Sequence, residues 1–168
     1  TMVTDKNYTV PTPTNEPIMQ FGQGSQERAL LKKELEKMRS QENHVPLVIN
    51  GEKIFKEERT PHYCPHEKKH VVNLTSSANQ KDINTAIDGA LDGQKSWNAL
   101  PWQERANVFL KAADLLSGKY RYRMNAATML AQSKTCFQAE IDAACELADF
   151  FRFNAKYAEQ IHQAQPDY

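Results

Sequence analysis

The chain has 168 residues, the length of one domain or of a piece of a larger one. Its 21 basic and 21 acidic residues cancel, which gives no reason to expect a nucleic acid or an anionic membrane as a partner. No apolar run approaches the roughly 18 to 20 residues that a membrane span requires, so we expect a soluble protein.

Residues 1–24 are predicted to form an extended amino-terminal arm. Three of the eight prolines lie among polar residues before position 18, and such a stretch buries little apolar area. A Gly-Gln-Gly turn at 22–24 follows, and Ser25 is a candidate N-cap for a helix. We therefore divide the chain into the arm, 1–24, and an incomplete part made of helices and a β-hairpin, 25–168.

The strongest short-range signal is the pair Asn50 and Gly51. Both residues tolerate positive φ, which suits a two-residue turn joining strands at 45–49 and 52–55. Residues 56–69, rich in His, Pro and charge, are predicted to form a loop, and 71–74 is a candidate third strand.

Elsewhere apolar residues recur every three or four positions, which predicts helices. Pro101 suits the start of one helix, and Gly118 suits its end. The predicted helices cover about 26–38, 79–97, 101–117, 120–132 and 137–163. The chain stops soon after the last helix, which we interpret as truncation, with a native end as the alternative.

Several residues could carry metal or nucleotide chemistry. His62, Cys64, His66 and His70 are possible zinc ligands, but all four lie in one predicted loop without the second, distant pair of a structural site, so a solvated loop is favoured. The Gly-Gln-Gly turn at 22–24 lacks the preceding strand and third glycine of a dinucleotide fingerprint, and a helix cap is favoured.

The three cysteines are odd in number and widely spaced, which favours free thiols in a reducing compartment. Cys136 and Cys145 have no His nearby in sequence to activate them, and Cys145 falls on an apolar helical stripe. Neutral or core placement is therefore favoured over a role as nucleophile.

Three carboxylates, Glu140, Asp142 and Glu146, lie within two turns of the last predicted helix. A spacing of four places Asp142 and Glu146 on one face, and Ile141 and Cys145 on another. Such carboxylates are usually solvated. From its residues alone, the chain is a soluble, mostly α-helical segment with a short β-hairpin, and no reaction can be assigned.

From Asn15 to Pro166 the sequence resembles the amino-terminal portion of the Δ1-pyrroline-5-carboxylate dehydrogenases, a branch of the aldehyde dehydrogenase superfamily. The family chain continues much further, so this chain corresponds to roughly its first third. Four stretches carry the resemblance: NEPIMQFGQGSQER (15–28), RANVFLKAADLLSGKYR (105–121), NAATMLAQSKT (125–135) and QAEIDAACELADFFRFNAKYA (138–158).

The resemblance implies an α/β aldehyde dehydrogenase-like fold and NAD-dependent oxidation of L-glutamate γ-semialdehyde to glutamate in proline catabolism. In the family, the nucleophilic Cys, the hydrolytic Glu, the oxyanion-stabilising Asn and the nucleotide-binding strands follow the point where this chain ends. No catalytic, NAD-binding or metal-binding residue is therefore assigned here, and the fragment is expected to be inactive alone. The resemblance further implies a homo-oligomeric parent in the mitochondrial matrix, with a cytoplasmic location as the alternative.

One substrate-binding residue, Glu146, follows from the resemblance. It matches the Glu of the family stretch AELxDFFRFN, which lies near the substrate and can meet its α-ammonium group. The alternative is a surface carboxylate paired with a neighbour such as Arg152. The sequence departs from the family at Ala131, where Gly is common, and at Cys145, which replaces a small apolar residue.

Two other classes of function stay open. The chain could be a truncated helical interaction module without catalysis, or a helical binding module unrelated to the enzyme. If it is a fragment, part of its apolar helical surface is expected to stay exposed.

Overall fold

The structure, a computed structural model, describes residues 8–164; the first seven residues of the predicted arm and the segment 165–168 lie outside this range. In the described part, a π-helix at Glu140–Cys145 lies within a longer helical rod. The strands are β1 His44–Val45, β2 Leu47–Ile49, β3 Glu52–Ile54, β4 Arg59–Cys64 and β5 Glu67–Ser76. The helices are α1 Gln26–Ser40, α2 Gln80–Ala99, α3 Trp102–Ser117, α4 Arg121–Gln132, α5 Cys136–Ala139 and α6 Glu146–Gln163.

The predicted hairpin is confirmed. Strands β2 and β3 pair antiparallel, and Asn50 and Gly51 form the turn with φ values of 53° and 81°. Both turn centres have positive φ, as the two-residue turn requires.

The predicted loop at 56–69 is wrong, because most of it forms a second hairpin. Strands β4 and β5 pair antiparallel, and β1 pairs in parallel with the other edge of β5. Within β4 only Cys64 is buried. The strand therefore lacks the alternation of apolar and polar residues that would have revealed it. The candidate strand at 71–74 lies inside the longer β5.

Helices α1 and α4 pack together and carry the second hairpin. Ser25 caps α1 as predicted, its Oγ accepting a hydrogen bond from the Arg28 amide at 3.3 Å. Two groups of buried residues join the elements: Phe21, Leu31 and Ala126 between the arm, α1 and α4, and Cys64, Val72 and Leu130 between the hairpin and α4.

Helices α3 and α6 pack through small residues. Ala106 and Ala155 share one apolar cluster, and Ala113 and Ala148 share another. Short side chains at these four positions let the two helices approach closely. Pro101 directly precedes α3 and Gly118 ends it, as the sequence predicted.

Residues 8–22 contain no helix or strand and run antiparallel to the rod formed by α5, the π-helix and α6. The Val10 amide donates to Glu159 at 3.0 Å, and the Met19 amide donates to Glu140 at 2.9 Å. Nine extended residues span roughly 30 Å at 3.3 Å each, and nineteen helical residues span roughly 28 Å at 1.5 Å each. The two lengths match, so an extended chain can follow the helix throughout.

The expectation that the arm buries little apolar area is wrong at Val10, which is 2 % exposed. Val10 packs with Ala106 and Ala155, in the groove between α3 and α6. Spacing could not show this contact, because it joins residues about a hundred or more positions apart.

Helix α2 packs much less than the others. Asn79 and Asp82 close a reciprocal cap at its start. A Cβ on Gly89 would lie 1.8 Å from the side-chain oxygen of Asn50, so glycine lets the β2–β3 turn rest on the helix. None of the helices in residues 8–164 is both long and apolar enough to cross a membrane.

Candidate functional site

A cavity of about 710 Å³ lies between the arm and the helical rod, with Glu146 in its wall. The arm contributes residues 15, 16 and 18, and the rod contributes one face from Ile141 to Tyr157. This volume is typical of a small-molecule site. Three carboxylates line the cavity, and their environments differ.

The carboxylate of Glu16 is held by two arginines. Arg121 and Arg152 each donate to one of its oxygens at 2.6 Å. Arg152 also donates to the Ser117 hydroxyl at 3.1 Å. Arg152, which the alternative named as a possible partner of Glu146, is therefore directed to the arm and does not pair with Glu146.

Asp149, the second carboxylate, anchors the arm. It accepts a hydrogen bond from the Asn15 side-chain amide at 2.8 Å and another from the Glu16 backbone amide at 2.7 Å. Its two oxygens are thus both used within the protein.

Glu146 is the third carboxylate and differs from the other two. It is exposed, and no donor in residues 8–164 forms a hydrogen bond or an ion pair with it. The aromatic rings of Phe150, Phe153 and Tyr157 lie along the same wall. An uncompensated carboxylate beside aromatic rings favours a cationic group as ligand.

A buried ion pair lies behind this wall. Arg121 is 2 % exposed and Glu140 is 0 % exposed, and the Arg121 Nε donates to Glu140 at 3.0 Å. Glu140 also accepts from the Met19 amide at 2.9 Å and from the Asn125 side chain at 2.7 Å. These donors satisfy a charge that would otherwise be costly to bury.

The protonation of the pair follows from these contacts. Burial alone would raise the pKa of Glu140, but the donors from Arg121, Met19 and Asn125 outweigh it and hold that pKa below its usual value. Burial likewise opposes the charge of Arg121, yet its hydrogen bonds to Glu140 and Glu16 raise its pKa. Both groups are charged at neutral pH.

The expectation that Glu140 is solvated is therefore wrong. Its partner Arg121 lies nineteen residues earlier, on a different helix, where spacing within the last helix gives no signal.

The π-helix also corrects the predicted faces. Ile141, Cys145 and Glu146 line the same cavity, whereas Asp142 lies outside it and pairs with Lys134. A π-turn holds more residues than an α-turn, so a spacing of four no longer identifies one face. Such turns are frequent at functional sites.

The sequence matches the aldehyde dehydrogenase family over residues 54–167. The chain belongs to the aldehyde dehydrogenase family.

Individual aldehyde dehydrogenases define the likeness more closely. A mitochondrial Δ1-pyrroline-5-carboxylate dehydrogenase of Mus musculus is 46 % identical over 91 % of this chain and 27 % of its own length. The enzyme of that name from Agaricus bisporus is 43 % identical over 95 % of this chain and 29 % of its own. The chain thus spans less than a third of the curated relatives that it matches.

A solved structure confirms the fold class. The Δ-pyrroline-5-carboxylate dehydrogenase of Mycobacterium tuberculosis, bound with NAD, superposes with a TM-score of 0.94 at 42 % identity. The match covers 98 % of this chain and 31 % of that one. The chain therefore has the conformation of one part of an α/β aldehyde dehydrogenase.

Cys145 and Cys136 lie in different environments. Burial and the nearby charge of Glu140 raise the pKa of Cys145 to about 11, so its thiol is neutral. Its placement in the core, predicted from the apolar stripe, is confirmed at 4 % exposure. Cys136 is half-buried at the start of α5.

The candidate zinc ligands lie on the second hairpin and its turn. Cys64 is buried, and the His66 ring lies 3.3 Å from its sulfur and 2.7 Å from the Ser133 hydroxyl. In residues 8–164 no three His, Cys, Asp or Glu side chains are grouped to hold a metal ion.

Sequence reasoning missed the aromatic wall of the site. Glu146, Phe150, Phe153 and Tyr157 recur at helical spacing, a pattern that is visible in the sequence. The contribution of the arm gave no local signal at all.

Proposed function

We propose that these 168 residues are the amino-terminal part of an NAD-dependent Δ1-pyrroline-5-carboxylate dehydrogenase. The whole protein oxidises L-glutamate γ-semialdehyde to glutamate in proline catabolism, and this part is inactive alone. The arm, 1–24, and the remainder, 25–168, are two portions of its amino-terminal region. The enzyme is a homo-oligomer of the mitochondrial matrix, with the cytoplasm as the alternative.

The identity of the relatives supports this proposal. Proteins 39 to 46 % identical over at least 90 % of this chain carry the name Δ1-pyrroline-5-carboxylate dehydrogenase. Several of those names include the word mitochondrial, which supports the proposed compartment.

The single observation that carries the substrate assignment is the uncompensated carboxylate of Glu146. The proposed substrate has an aldehyde at one end and an α-ammonium group at the other. Glu16 and Asp149 are already paired within the protein, so Glu146 is the carboxylate of this cavity that is available to an ammonium group. A charge-assisted hydrogen bond from that group to Glu146 would orient the substrate.

The residues described here do not fit NAD. In residues 8–164 no strand leads through a glycine-rich turn into a helix, the arrangement that holds a dinucleotide. The proposal therefore assigns NAD, which accepts the hydride, to the rest of the enzyme.

The test is Glu146→Gln in the complete enzyme. Loss of a hydrogen bond between charged groups, worth about 1.5–3 kcal/mol, should raise KM for the semialdehyde roughly tenfold or more. KM for a simple aldehyde without an ammonium group should not change. Asp142→Asn is the matched control, because it removes the same charge four residues away, outside the cavity. Equal effects of Glu146→Gln on both aldehydes would refute the role.

A second candidate function is a helical interaction module without catalysis. The exposed apolar face of α2 favours it, because such a face suits a binding partner. The parent transcript separates the two. A reading frame that continues past residue 168 into a cysteine-bearing catalytic domain would favour the enzyme part, and a compact, self-sufficient protein ending at residue 168 would favour the module.

A further inference from the structure

A hydrogen bond between two side chains joins the arm to α6 at the edge of the cavity that contains Glu146. Asn15 of the arm donates from its side-chain amide to the Asp149 carboxylate at 2.8 Å, and both residues line the cavity. An ionised carboxylate only accepts hydrogen bonds, so the Asn15 nitrogen must face Asp149, and the Asn15 side-chain oxygen has no part in this contact. Asp149 therefore fixes the orientation of the Asn15 amide.

The side-chain oxygen of Asn15 is an unused acceptor. No donor in residues 8–164 forms a hydrogen bond with it. Asn15 is exposed, so solvent reaches this oxygen until a ligand enters the cavity. A ligand that displaces the solvent loses affinity unless it supplies a donor in its place. The cavity thus offers an unused acceptor on each side, the Glu146 carboxylate on α6 and the Asn15 oxygen on the arm.

Other contacts hold the arm in place without the Asn15 side chain. The Glu16 carboxylate pairs with two arginines, and the Glu16 amide donates to Asp149 at 2.7 Å. The Pro17 carbonyl accepts a hydrogen bond from Arg121 at 2.7 Å. Truncation of Asn15 should therefore leave the arm on the helical rod, so that an effect on ligand binding can be separated from loss of the arm.

We propose that the arm completes the ammonium site of the dehydrogenase: Asn15, oriented by Asp149, accepts a hydrogen bond from the same ammonium group that Glu146 binds. This inference rests on the proposed function, which supplies the ligand. An ammonium group has three N–H donors that point in different directions, so acceptors on two sides of a cavity orient it better than one carboxylate alone. Asp149 is a positioning residue in this arrangement, because it acts through Asn15.

The first experiment compares Asn15→Ala with Thr14→Ala in the complete enzyme. Thr14 is the exposed neighbour of Asn15 and does not line the cavity, so it controls for loss of a polar side chain from the arm. We expect Asn15→Ala to raise KM for the semialdehyde about three- to tenfold, the effect of one hydrogen bond, and to leave KM for a simple aldehyde unchanged. Thr14→Ala should change neither KM. Equal effects of Asn15→Ala on the two aldehydes would overturn the proposal.

The second experiment, a double-mutant cycle, tests whether Asn15 and Glu146 bind the same group. In the Glu146→Gln enzyme the ammonium group is held less firmly, so the Asn15 oxygen contributes less to its binding. Asn15→Ala should therefore raise KM for the semialdehyde by a smaller factor in that background than in the otherwise unsubstituted enzyme. Equal factors in the two backgrounds would show that the two residues act independently, and the shared site would be refuted.

Equilibrium binding separates this inference from the proposed reaction. Glutamate and glutarate are the matched ligands, because glutarate is glutamate without its ammonium group. Measured by calorimetry on the complete protein, Asn15→Ala should weaken glutamate binding about three- to tenfold and leave glutarate binding unchanged. Unchanged glutamate binding would refute the role of Asn15 alone. A complete protein that does not oxidise the semialdehyde refutes the proposed function, and the comparison of the two ligands still decides whether Asn15 meets an ammonium group.

Discussion

Two regions of the molecule place polar and apolar groups in opposite ways. Under the arm, the charged side chains of Arg121 and Glu140 are buried and fully paired. Along α2, the apolar side chains of Ile83, Ile87 and Leu91 are exposed, at 45 to 60 %. Pairing and further hydrogen bonds offset the desolvation cost of burying these charges, whereas a monomeric protein rarely leaves a large apolar stripe in water.

The difference shows which side of this chain is covered by the chain's own residues. The arm closes over its own ionic cluster, and each buried charge there has a partner in this chain. The stripe on α2 has no such cover in residues 8–164 beyond its contact with the β2–β3 hairpin. The aldehyde dehydrogenase relatives are more than three times as long, so we expect their additional residues on the α2 side.

The largest expected loss of stability comes from a substitution that disrupts the ionic cluster of Arg121 and Glu140. Arg121→Met in the complete enzyme leaves Glu140 buried without its main partner, and should lower the free energy of unfolding by about 3–5 kcal/mol. Denaturant unfolding measures this loss. Arg123→Met is the control, because Arg123 is exposed two residues further along the same helix. Similar losses for both would show that the cluster does not stabilise the arm region.

The next effect tests the exposed stripe. Leu91→Gln should cost about 1.5–3 kcal/mol in the complete enzyme, where we expect the side chain to be covered. In the 168-residue chain the same substitution should change hydrophobic-dye binding, with a stability change below about 0.5 kcal/mol. If Leu91→Gln leaves the stability of the complete enzyme unchanged, the apolar stripe on α2 is not covered there. Additional residues would then not explain why this stripe is exposed.

A smaller effect concerns the start of α2. The Asn79 side-chain oxygen accepts a hydrogen bond from the Asp82 amide at 3.0 Å, and the Asn79 amide donates one to the Asp82 carboxylate at 2.9 Å. Asn79→Ala should cost about 1 kcal/mol of unfolding free energy. Asn84→Ala, an identical change inside the helix, should cost nothing because alanine favours helices. A neutral Asn79→Ala would mean that packing, rather than the cap, fixes where α2 begins.

The smallest expected effect concerns the rates at which two thiols are alkylated, a measurement that requires no substitution. Because the pKa of Cys145 is raised to about 11, its reactive thiolate is scarce at pH 8 and increases only as the pH approaches that value. Mass spectrometry after iodoacetamide treatment at pH 8 should therefore find Cys136 alkylated well before Cys145. Equal rates would show that the arm opens readily over the cluster.

The sequence predicted the elements that depend only on interactions between neighbouring residues. The cap at Ser25 and the turn at Asn50 and Gly51 need only neighbouring atoms, and both were confirmed. The second hairpin was missed because β4 buries only Cys64 and has no apolar alternation. The π-helix was not predicted, because none of its residue types distinguishes a π-helix from an α-helix in the sequence.

The sequence by itself determined the helices, the first hairpin and the core position of Cys145. Its resemblance to known enzymes indicated the family and made Glu146 a candidate substrate-binding residue. Only the tertiary structure decided that Glu140 is buried and that Arg152 pairs with Glu16 of the arm instead of with Glu146. The physical reason is distance along the chain. Caps and turns are set by adjacent residues, whereas the pairing of a charge depends on groups that folding brings together from a hundred residues away.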